Sequence, residues 1–463
     1  MNLYRRIIRP LLCRGGVRVA IWCEKLGSRT FVMLFASVVV GVLTGFGAWC
    51  LKFLIQSVSA YTVVYAVPGH YSWVFAIAPA GALILVGAMQ RHLFHRSINR
   101  GTEKIKGLLK KHDYVLPHQL AYQPVFACAL TVGLGGSAGS EGPIAYSGGA
   151  IGSGVARMCR LPASMTRAMM VCGAAAGIAA IFKAPLGGFF FALEVIGVSL
   201  SAITLIALAT CCMTASATAC AFSGSLYDLS VAGAMPAFDW CHLPVILLLG
   251  GALGLYSLWY RACASATRRC LDRISLPWLR NTVAGVLLGV FVIFLPLLYG
   301  EGYGVVGQIL SGTTSGLTRY TLFGGMAAPW ILPVFLAAIL LVKGVAVTLT
   351  NCGGGVAGSY APTLFAGCMA GLLASYATDA MGLGIPHSQI AYLAMAGAMA
   401  AIIRAPFMAT FITMEITGSY GSLFPLAVVA FTAWGVAKML RPVGDVDVRT
   451  VSDTRLPKKI SAG

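Results

Sequence analysis

Apolar segments long enough to cross a lipid bilayer recur along this chain, and they restrict its fold more than any other feature. A membrane-spanning helix needs about 20 predominantly apolar residues. Segments of this kind include Phe31–Leu51, Trp73–Met89, Leu243–Leu258 with its flanks, and Pro329–Val342. Only 10% of the 463 residues are charged, whereas a soluble domain carries about a quarter. The sequence therefore predicts an all-α polytopic membrane protein with roughly a dozen or more spanning segments.

Glycine is unusually frequent, with 55 residues in the chain. Glycine weakens helices in water. In membranes, however, small residues let helices pack closely, and interrupted helices are tolerated where they line a cavity. The glycine content therefore predicts a tightly packed bundle in which some helices are broken.

Basic residues concentrate at both ends of the chain and in one central loop. Residues 1–30 contain seven lysines and arginines against one acid, and residues 261–280 contain five arginines. Six more basic residues lie between position 438 and the C-terminus. The positive-inside rule predicts that all three regions are cytoplasmic, so we expect an even number of crossings of the inner membrane. Contact with anionic lipid explains the basic N-terminus better than nucleic-acid binding does.

The chain carries no sequence signature of a metal site, a cofactor or a catalytic centre. Its 14 cysteines form no CxxC pair, and a free cysteine in an apolar segment behaves as a small hydrophobic residue. No GxxxxGK[ST] loop, nucleophile elbow or metal-spaced His/Asp/Glu set is present. We therefore expect no cofactor, no metal and no enzymatic activity. A membrane-embedded enzyme would need a catalytic cluster that the sequence does not offer.

Two blocks of the first half return in the second half. Gly139-Ser-Glu-Gly-Pro143 returns as Gly358-Ser-Tyr-Ala-Pro362, and positions 139 and 358 differ by 219. Ala179-Ala-Ile-Phe-Lys-Ala-Pro185 returns as Ala400-Ala-Ile-Ile-Arg-Ala-Pro406, and positions 185 and 406 differ by 221. Two independent blocks with nearly one offset indicate duplication of a unit of about 200 residues, a pattern typical of transporters. The sequence by itself does not establish whether the second copy is inverted.

Glu141 is the leading candidate for a functional residue. It is the only charged residue between Asp113 and Arg157, and glycines and Pro143 surround it. Proline fits the first turn of a helix, and a helix N-terminus is a ready site for an anion. A carboxylate beside that site could occupy it when ionised and leave it when protonated. The alternative is a glutamate that simply caps the helix, but the equivalent repeat position, Tyr360, keeps the frame without the acid.

Three other isolated acids favour structural interpretations. Glu194 and Glu415 are equivalent in the two copies of the repeat. Because both copies keep the acid, we expect buried carboxylates that accept backbone hydrogen bonds. Glu301 lies in Gly300-Glu-Gly-Tyr-Gly304, which predicts a glycine-rich loop or a re-entrant segment.

The two repeated motifs resemble signatures of the CLC chloride channel and transporter family. Gly139-Ser-Glu-Gly-Pro143 resembles its G-[K/R]-E-G-P motif, and Gly358-Ser-Tyr-Ala-Pro362 resembles its G-x-F-x-P motif. The resemblance extends from about residue 31 to about residue 440. It divides the chain into a basic segment (1–30), a CLC-type membrane domain (31–440, with halves of about 31–225 and 240–440) and a short cytoplasmic tail (441–463).

The resemblance implies two inverted repeats with broken helices, a homodimer in the bilayer, and one anion pathway in each subunit. Glu141 would be the external gate. Backbone N–H groups of Ser359 and Tyr360 would hold a central chloride ion, and those from Ser140 to Gly142 would hold an outer one.

Three departures from the family pattern affect selectivity and proton coupling. The signature that supplies a serine to the anion reads Asn99-Arg-Gly-Thr-Glu103 here, and ungapped alignment places Arg100 at the serine position. The tyrosine expected near the end of the membrane region is missing, since the last tyrosine is Tyr420. Val195 occupies the position at which many exchangers carry an internal proton-relay glutamate.

These observations leave three related functions open. Chloride/proton antiport gated by Glu141 is the leading one. A passive chloride channel of the same fold is favoured by Val195. Fluoride/proton antiport is a third, although Pro143 after Glu141-Gly142 matches the chloride-type motif better. The sequence does not determine the ion, which could also be nitrate, or the proton stoichiometry.

Overall fold

The duplication predicted from the sequence appears in the structure as the same succession of helices in each half of the chain. This computed structural model describes residues 29–65, 73–98, 101–111, 114–197, 201–231, 240–314, 317 and 330–440. In the first half the helices are α1 (Arg29–Tyr65), α2 (Trp73–Ala88), α3 (Gly101–Lys110), α4 (Gln123–Gly133), α5 (Glu141–Met158), α6 (Ala163–Phe182), α7 (Pro185–Phe190) and α8 (Ala202–Ser223). In the second half they are α9 (Leu243–Asp272), α10 (Pro277–Phe294), α11 (Tyr303–Leu310), α12 (Ile331–Cys352), α13 (Tyr360–Ala380), α14 (His387–Ile403), α15 (Pro406–Thr417) and α16 (Leu423–Met439). The segments assigned to residues 1–28 and 441–463 lie outside the described residues.

The protein is a multi-pass membrane protein with helices of very unequal length. Within the described ranges, eight helices are long and apolar enough to cross a bilayer, namely α1, α6, α8, α9, α10, α12, α13 and α16. This is fewer than the dozen or more expected, because several apolar stretches form shorter helices. One example is Pro185–Ile196, where α7 ends after six residues and continues as a π-helical turn. The expectation of interrupted helices is therefore confirmed.

Equivalent helices of the two halves make equivalent contacts. In the first half, α1 packs against α8 and α5 packs against α6. In the second half, the equivalent pairs are α9 with α16 and α13 with α14. At the α5–α6 crossing, a Cβ atom added to Gly148 would lie 2.1 Å from the carbonyl oxygen of Gly173. Such backbone contact is available only to glycine, and it explains part of the high glycine content.

The two halves are inverted with respect to each other. Equivalent residues Gly139 and Gly358 form an antiparallel bridge, and the equivalent rings of Phe190 and Phe411 stack with centroids 4.7 Å apart. A residue can contact its own counterpart in this way only near an axis that exchanges the two repeats. Together with the opposite strand directions at the bridge, these pairs show that a local two-fold axis relates the two repeats, which is the symmetry that inverted-repeat transporter folds possess.

Candidate functional site

The two signature loops meet in the interior of the molecule, where helices α5 and α13 begin. The Gly139 N–H donates to the Gly358 carbonyl oxygen at 3.0 Å, and the Gly358 N–H donates to the Gly139 carbonyl in return. Helix α5 starts two residues after the bridge at Glu141, and α13 starts at Tyr360. Two helix N-termini, each with unpaired N–H groups and a partial positive charge, are thus brought together.

Reciprocal hydrogen bonds hold each loop against the other half of the chain. The Ser137 N–H donates to the Thr350 hydroxyl, and the Val356 N–H donates to the Thr131 hydroxyl, both at 3.1 Å. Both loops also turn through a left-handed glycine with φ of +97°, which is Gly135 in the first loop and Gly354 in the second. The loop geometry is therefore set twice by the same local sequence, once in each repeat.

The Glu141 side chain crosses from its own helix to the N-terminus of the other one. Its Oε1 atom accepts the Ala361 N–H at 2.7 Å, and the residue is completely buried. A Cβ atom at Gly139 would lie 2.3 Å from Oε1, and one at Gly358 would lie 2.2 Å from Oε2. The glycines of both signatures are therefore needed to admit the carboxylate. An ionised carboxylate here occupies the position in which an anion would receive N–H donors.

The other predicted site residues lie around this carboxylate. Ser140 is buried, and its hydroxyl has no hydrogen-bond partner among the described residues. Gly142 packs closely against the backbone at Gly358. Ser359 precedes the first turn of α13, and the Tyr360 N–H faces Glu141. The hydrogen bond to the Glu141 carboxylate comes from the Ala361 N–H, one residue beyond the predicted pair. Arg100 lies outside the described residues.

One neighbour of Tyr360 was not singled out from the sequence. The Tyr360 hydroxyl faces the side chain of Thr102, in the first turn of α3. Ungapped alignment pointed to Arg100, two positions earlier, as the side chain nearest the anion path. Among the described residues, Thr102 is a polar residue that the folded chain brings to Tyr360.

Glu194 and Glu415 accept backbone hydrogen bonds, as the sequence predicted. Glu415 is buried and accepts the N–H groups of Leu186 and Gly187, at 3.1 and 2.9 Å. Glu194 accepts those of Phe407 and Met408, at 3.2 and 2.7 Å. Each acid thus satisfies the first turn of the short helix in the opposite repeat, which is a structural role.

Two charged residues beside the signature loops were not assigned to the site from the sequence. Lys343 is fully buried in α12; its Nζ atom donates to the Ser137 hydroxyl at 3.0 Å and lies 4.3 Å from the centroid of the Phe365 ring. Glu301, which was assigned to a loop, lies close enough to Glu141 for their charges to interact. A solitary acid in a glycine-rich loop was the available signal, but its neighbour across the fold was not visible in the sequence.

Comparison with known proteins gives consistent results. A family model described as voltage gated chloride channel matches residues 81–438. The chain is 28% identical over 376 residues to the putative chloride channel protein ClcB-like of Ralstonia nicotianae, covering 79% of this chain and 82% of the relative. It is 26% identical over 454 residues to the H(+)/Cl(-) exchange transporter ClcA of Vibrio vulnificus, covering 94% and 92%.

Solved structures share the same fold. A crystal structure of a CLC-type fluoride/proton antiporter superposes with a TM-score of 0.73 and 20% identity, covering 89% of this chain and 97% of that one. A slow cyanobacterial Cl-/H+ antiporter gives a TM-score of 0.71 and 23% identity, covering 88% and 95%. The family model spans most of the membrane domain and includes both signature loops, so the chain belongs to the CLC family of voltage-gated chloride channels.

Proposed function

We propose that this protein exchanges chloride for protons across the inner membrane, with Glu141 as the gate. One observation carries the proposal: the buried Glu141 carboxylate accepts the Ala361 N–H at the N-terminus of the opposite repeat. A group that binds there as an anion and leaves when protonated couples one proton to the access of one chloride ion. The relative from Vibrio vulnificus, whose printed name is an H(+)/Cl(-) exchange transporter, supports the same function.

The proposed cycle uses the same donors for two anions in turn. In the ionised state, Glu141 fills the site at the start of α13 and chloride cannot pass. Protonation removes the charge that holds the carboxylate there, so the side chain withdraws. Chloride then binds the backbone N–H groups of Ser359 and Tyr360, and a second ion binds those around Ser140 and Gly142. Neither a cofactor nor a catalytic step is needed, so the protein is a transporter and not an enzyme.

The proposed arrangement in the membrane follows from charge and symmetry. Both termini lie in the cytoplasm because the basic residues of the chain are concentrated there and at residues 261–280, where α9 ends and α10 begins. The subunit forms a two-fold homodimer in the bilayer, with a separate pathway in each copy.

A passive chloride channel is the second candidate, and Val195 favours it. This residue is apolar and only 9% exposed, in the π-helical turn after α7. The resemblance to exchangers would place a proton-relay glutamate there, and valine binds no proton. A related protein of Escherichia coli with 26% identity is named as a voltage-gated ClC-type chloride channel, ClcB.

Purified protein in liposomes distinguishes the two candidates. An outward chloride gradient is imposed, and chloride efflux and external pH are recorded together. In an antiporter, chloride efflux drives protons inward against their own gradient, so the external pH rises, and an uncoupler abolishes that pH change. Chloride flux without any proton movement would identify a channel and contradict antiport.

A further inference from the structure

Glu301 is held next to the loop that leads to Glu141. It lies between Gly300 and Gly302, both left-handed, with φ of +67° and +84°. A Cβ atom at Gly302 would lie 2.4 Å from the Phe365 ring, so the backbone there packs directly against α13. On the other side, the Tyr299 hydroxyl donates to the Gly133 carbonyl oxygen at 3.1 Å. These contacts fix the segment against the first signature loop and limit where Glu301 can point.

The carboxylate of Glu301 is incompletely satisfied and faces the gate. Its Oε1 atom is buried without a hydrogen-bond partner among the residues that the structure describes, although the residue as a whole is only partly buried. Ser140 faces Glu301 through its hydroxyl and its N–H. The Glu141 Oε2 atom, immediately after Ser140 in the chain, is also buried and unpartnered within the described ranges. Two carboxylates with buried, unpaired oxygens thus lie on either side of one serine.

The other charged and titratable groups here do not neutralise both acids. Lys52 from α1 attracts Glu301, but Lys52 forms an ion pair with Asp228, which also binds Lys183 at 2.8 Å. Cys128 from α4 and Tyr303 from α11 face both acids and are neutral at ordinary pH. Phe365 from α13 adds no charge, and the buried Lys343 from α12, whose Nζ atom lies 4.3 Å from the centroid of that ring, donates to the Ser137 hydroxyl and to neither acid. Like charges repel strongly away from water. The pair of acids therefore favours the state that holds one proton over the state in which both carboxylates are ionised.

We propose that Glu301 is a second proton-binding carboxylate of the pathway and that it shares a proton with Glu141. When Glu301 is ionised, its charge favours the protonated form of Glu141, which is the form that leaves the anion site. A proton on Glu301 weakens that effect. Glu301 thereby sets the pH at which the gate opens, and this partly buried residue provides a second point at which protons from water reach the pair. This inference rests on the proposed role of Glu141.

The pH dependence of chloride flux in liposomes tests the proposal with Glu301→Gln. Removing the charge makes Glu141 harder to protonate, so the pH of half-maximal flux should fall by about one unit, the size of coupling at which two sites titrate as a pair. Asp272→Asn is the matched control, because it removes one negative charge from an exposed position at the end of α9. Its midpoint should equal that of the unmodified protein. An unchanged or higher midpoint in Glu301→Gln overturns the proposal.

Infrared difference spectroscopy gives a second test that does not depend on the folding of Glu301→Gln. Carboxyl bands are recorded during a pH titration of the unmodified protein and of Glu141→Gln. Subtracting one titration from the other removes the bands of acids that the substitution does not affect, such as Glu194 and Glu415. The proposal expects that Glu141→Gln lacks the carboxyl band of Glu141. The band of Glu301 should then titrate at lower pH, because its acidic neighbour is gone. Loss of one band with no accompanying shift overturns it.

The outcomes also separate this inference from the proposed function. If the unmodified protein moves no protons with chloride, antiport fails, whatever Glu301 does. If flux is proton-coupled and pH-dependent but has the same midpoint in Glu301→Gln, only the proton-sharing pair fails.

Discussion

At the scale of single residues, Glu141 and a chloride ion compete for the same backbone donors. Glu141→Gln replaces the carboxylate by an amide of nearly the same shape that cannot ionise. We expect chloride flux in the variant to become independent of pH, whereas one titrating group changes flux by up to about tenfold per pH unit. Proton movement should be lost as well. Flux from liposomes at a series of pH values provides the measurement.

Unchanged pH dependence in Glu141→Gln would contradict the gate assignment. Asp272→Asn is a suitable comparison, since Asp272 is an exposed acid at the end of α9 and is not among the groups that act on the Glu141 carboxyl. Its flux should retain the pH dependence of the unmodified protein.

The sequence identified Glu141 but missed its acidic neighbour. Glu141 is isolated among glycines and next to a proline, so its local pattern already predicts a helix N-terminus with a carboxylate. The importance of Glu301 depends on tertiary contacts, such as the one between Tyr299 and Gly133. No local pattern encodes such a contact. For the same reason, the sequence suggested Ser359 and Tyr360 as donors without showing that Glu141 bonds to Ala361.

At the scale of elements, the short helices α7 and α15 depend on acids from the opposite repeat. Each helix begins with proline and has N–H groups in its first turn without partners inside the helix. Glu415 accepts hydrogen bonds from those of α7, and Glu194 accepts hydrogen bonds from those of α15. A hydrogen bond to a charged group contributes about 1.5–3 kcal/mol. We expect Glu415→Gln to lower the free energy of unfolding by a similar amount, and Glu194→Gln by less, because Glu194 is only partly buried.

Thermal unfolding of the detergent-solubilised variants checks this order. Asp272→Asn again provides the control, and its unfolding temperature should not fall below that of the unmodified protein, because an acid at a helix C-terminus does not stabilise the helix. Equal stability of Glu415→Gln and the control would show that the two N–H groups of α7 find other partners, contrary to the structural role assigned to the pair.

The repeat made the structural role of these two acids predictable, whereas hydropathy alone did not predict the lengths of the helices. Because Glu194 and Glu415 recur in both copies, the sequence indicated a shared structural acid. The lengths of the helices were harder to predict, since an apolar run such as Pro185–Ile196 looks the same whether it crosses the bilayer or stops halfway. The structure interrupts it with a π-helical turn that ends at a left-handed glycine, Gly197.

At the scale of the whole molecule, the repeat offset revealed duplication but not orientation. The direction of the second copy became clear from pairs of equivalent residues in contact, such as Gly139 with Gly358. Inversion brings the N-termini of α5 and α13 together from opposite sides. A single helix N-terminus offers about half a positive charge, so the two N-termini together present about one positive charge to an anion between them.

The same inversion leaves an exposed face that lipid cannot cover well. Helices α7 and α15 are too short to span the bilayer, with 6 and 12 residues. Leu186 and Phe407, at their first turns, are 42% and 46% exposed, and the Glu194 carboxylate between the repeats is only partly buried. Helix ends and carboxylates at membrane depth are tolerated only where protein or water surrounds them. A second copy of the chain is therefore expected on this face.

Subunit counting by single-molecule photobleaching in liposomes tests this arrangement over a range of protein densities. Two bleaching steps should dominate for the unmodified protein. Leu186→Trp adds bulk in the middle of the proposed interface. If this weakens the free energy of dimerisation by about 1.4 kcal/mol, the protein density needed to form dimers rises tenfold. Leu287→Trp is the matched control, because Leu287 is 44% exposed on α10, which packs against α2 and α12. One-step bleaching of the unmodified protein at every density would contradict the dimer, and equal behaviour of the two tryptophan variants would place the interface on another face.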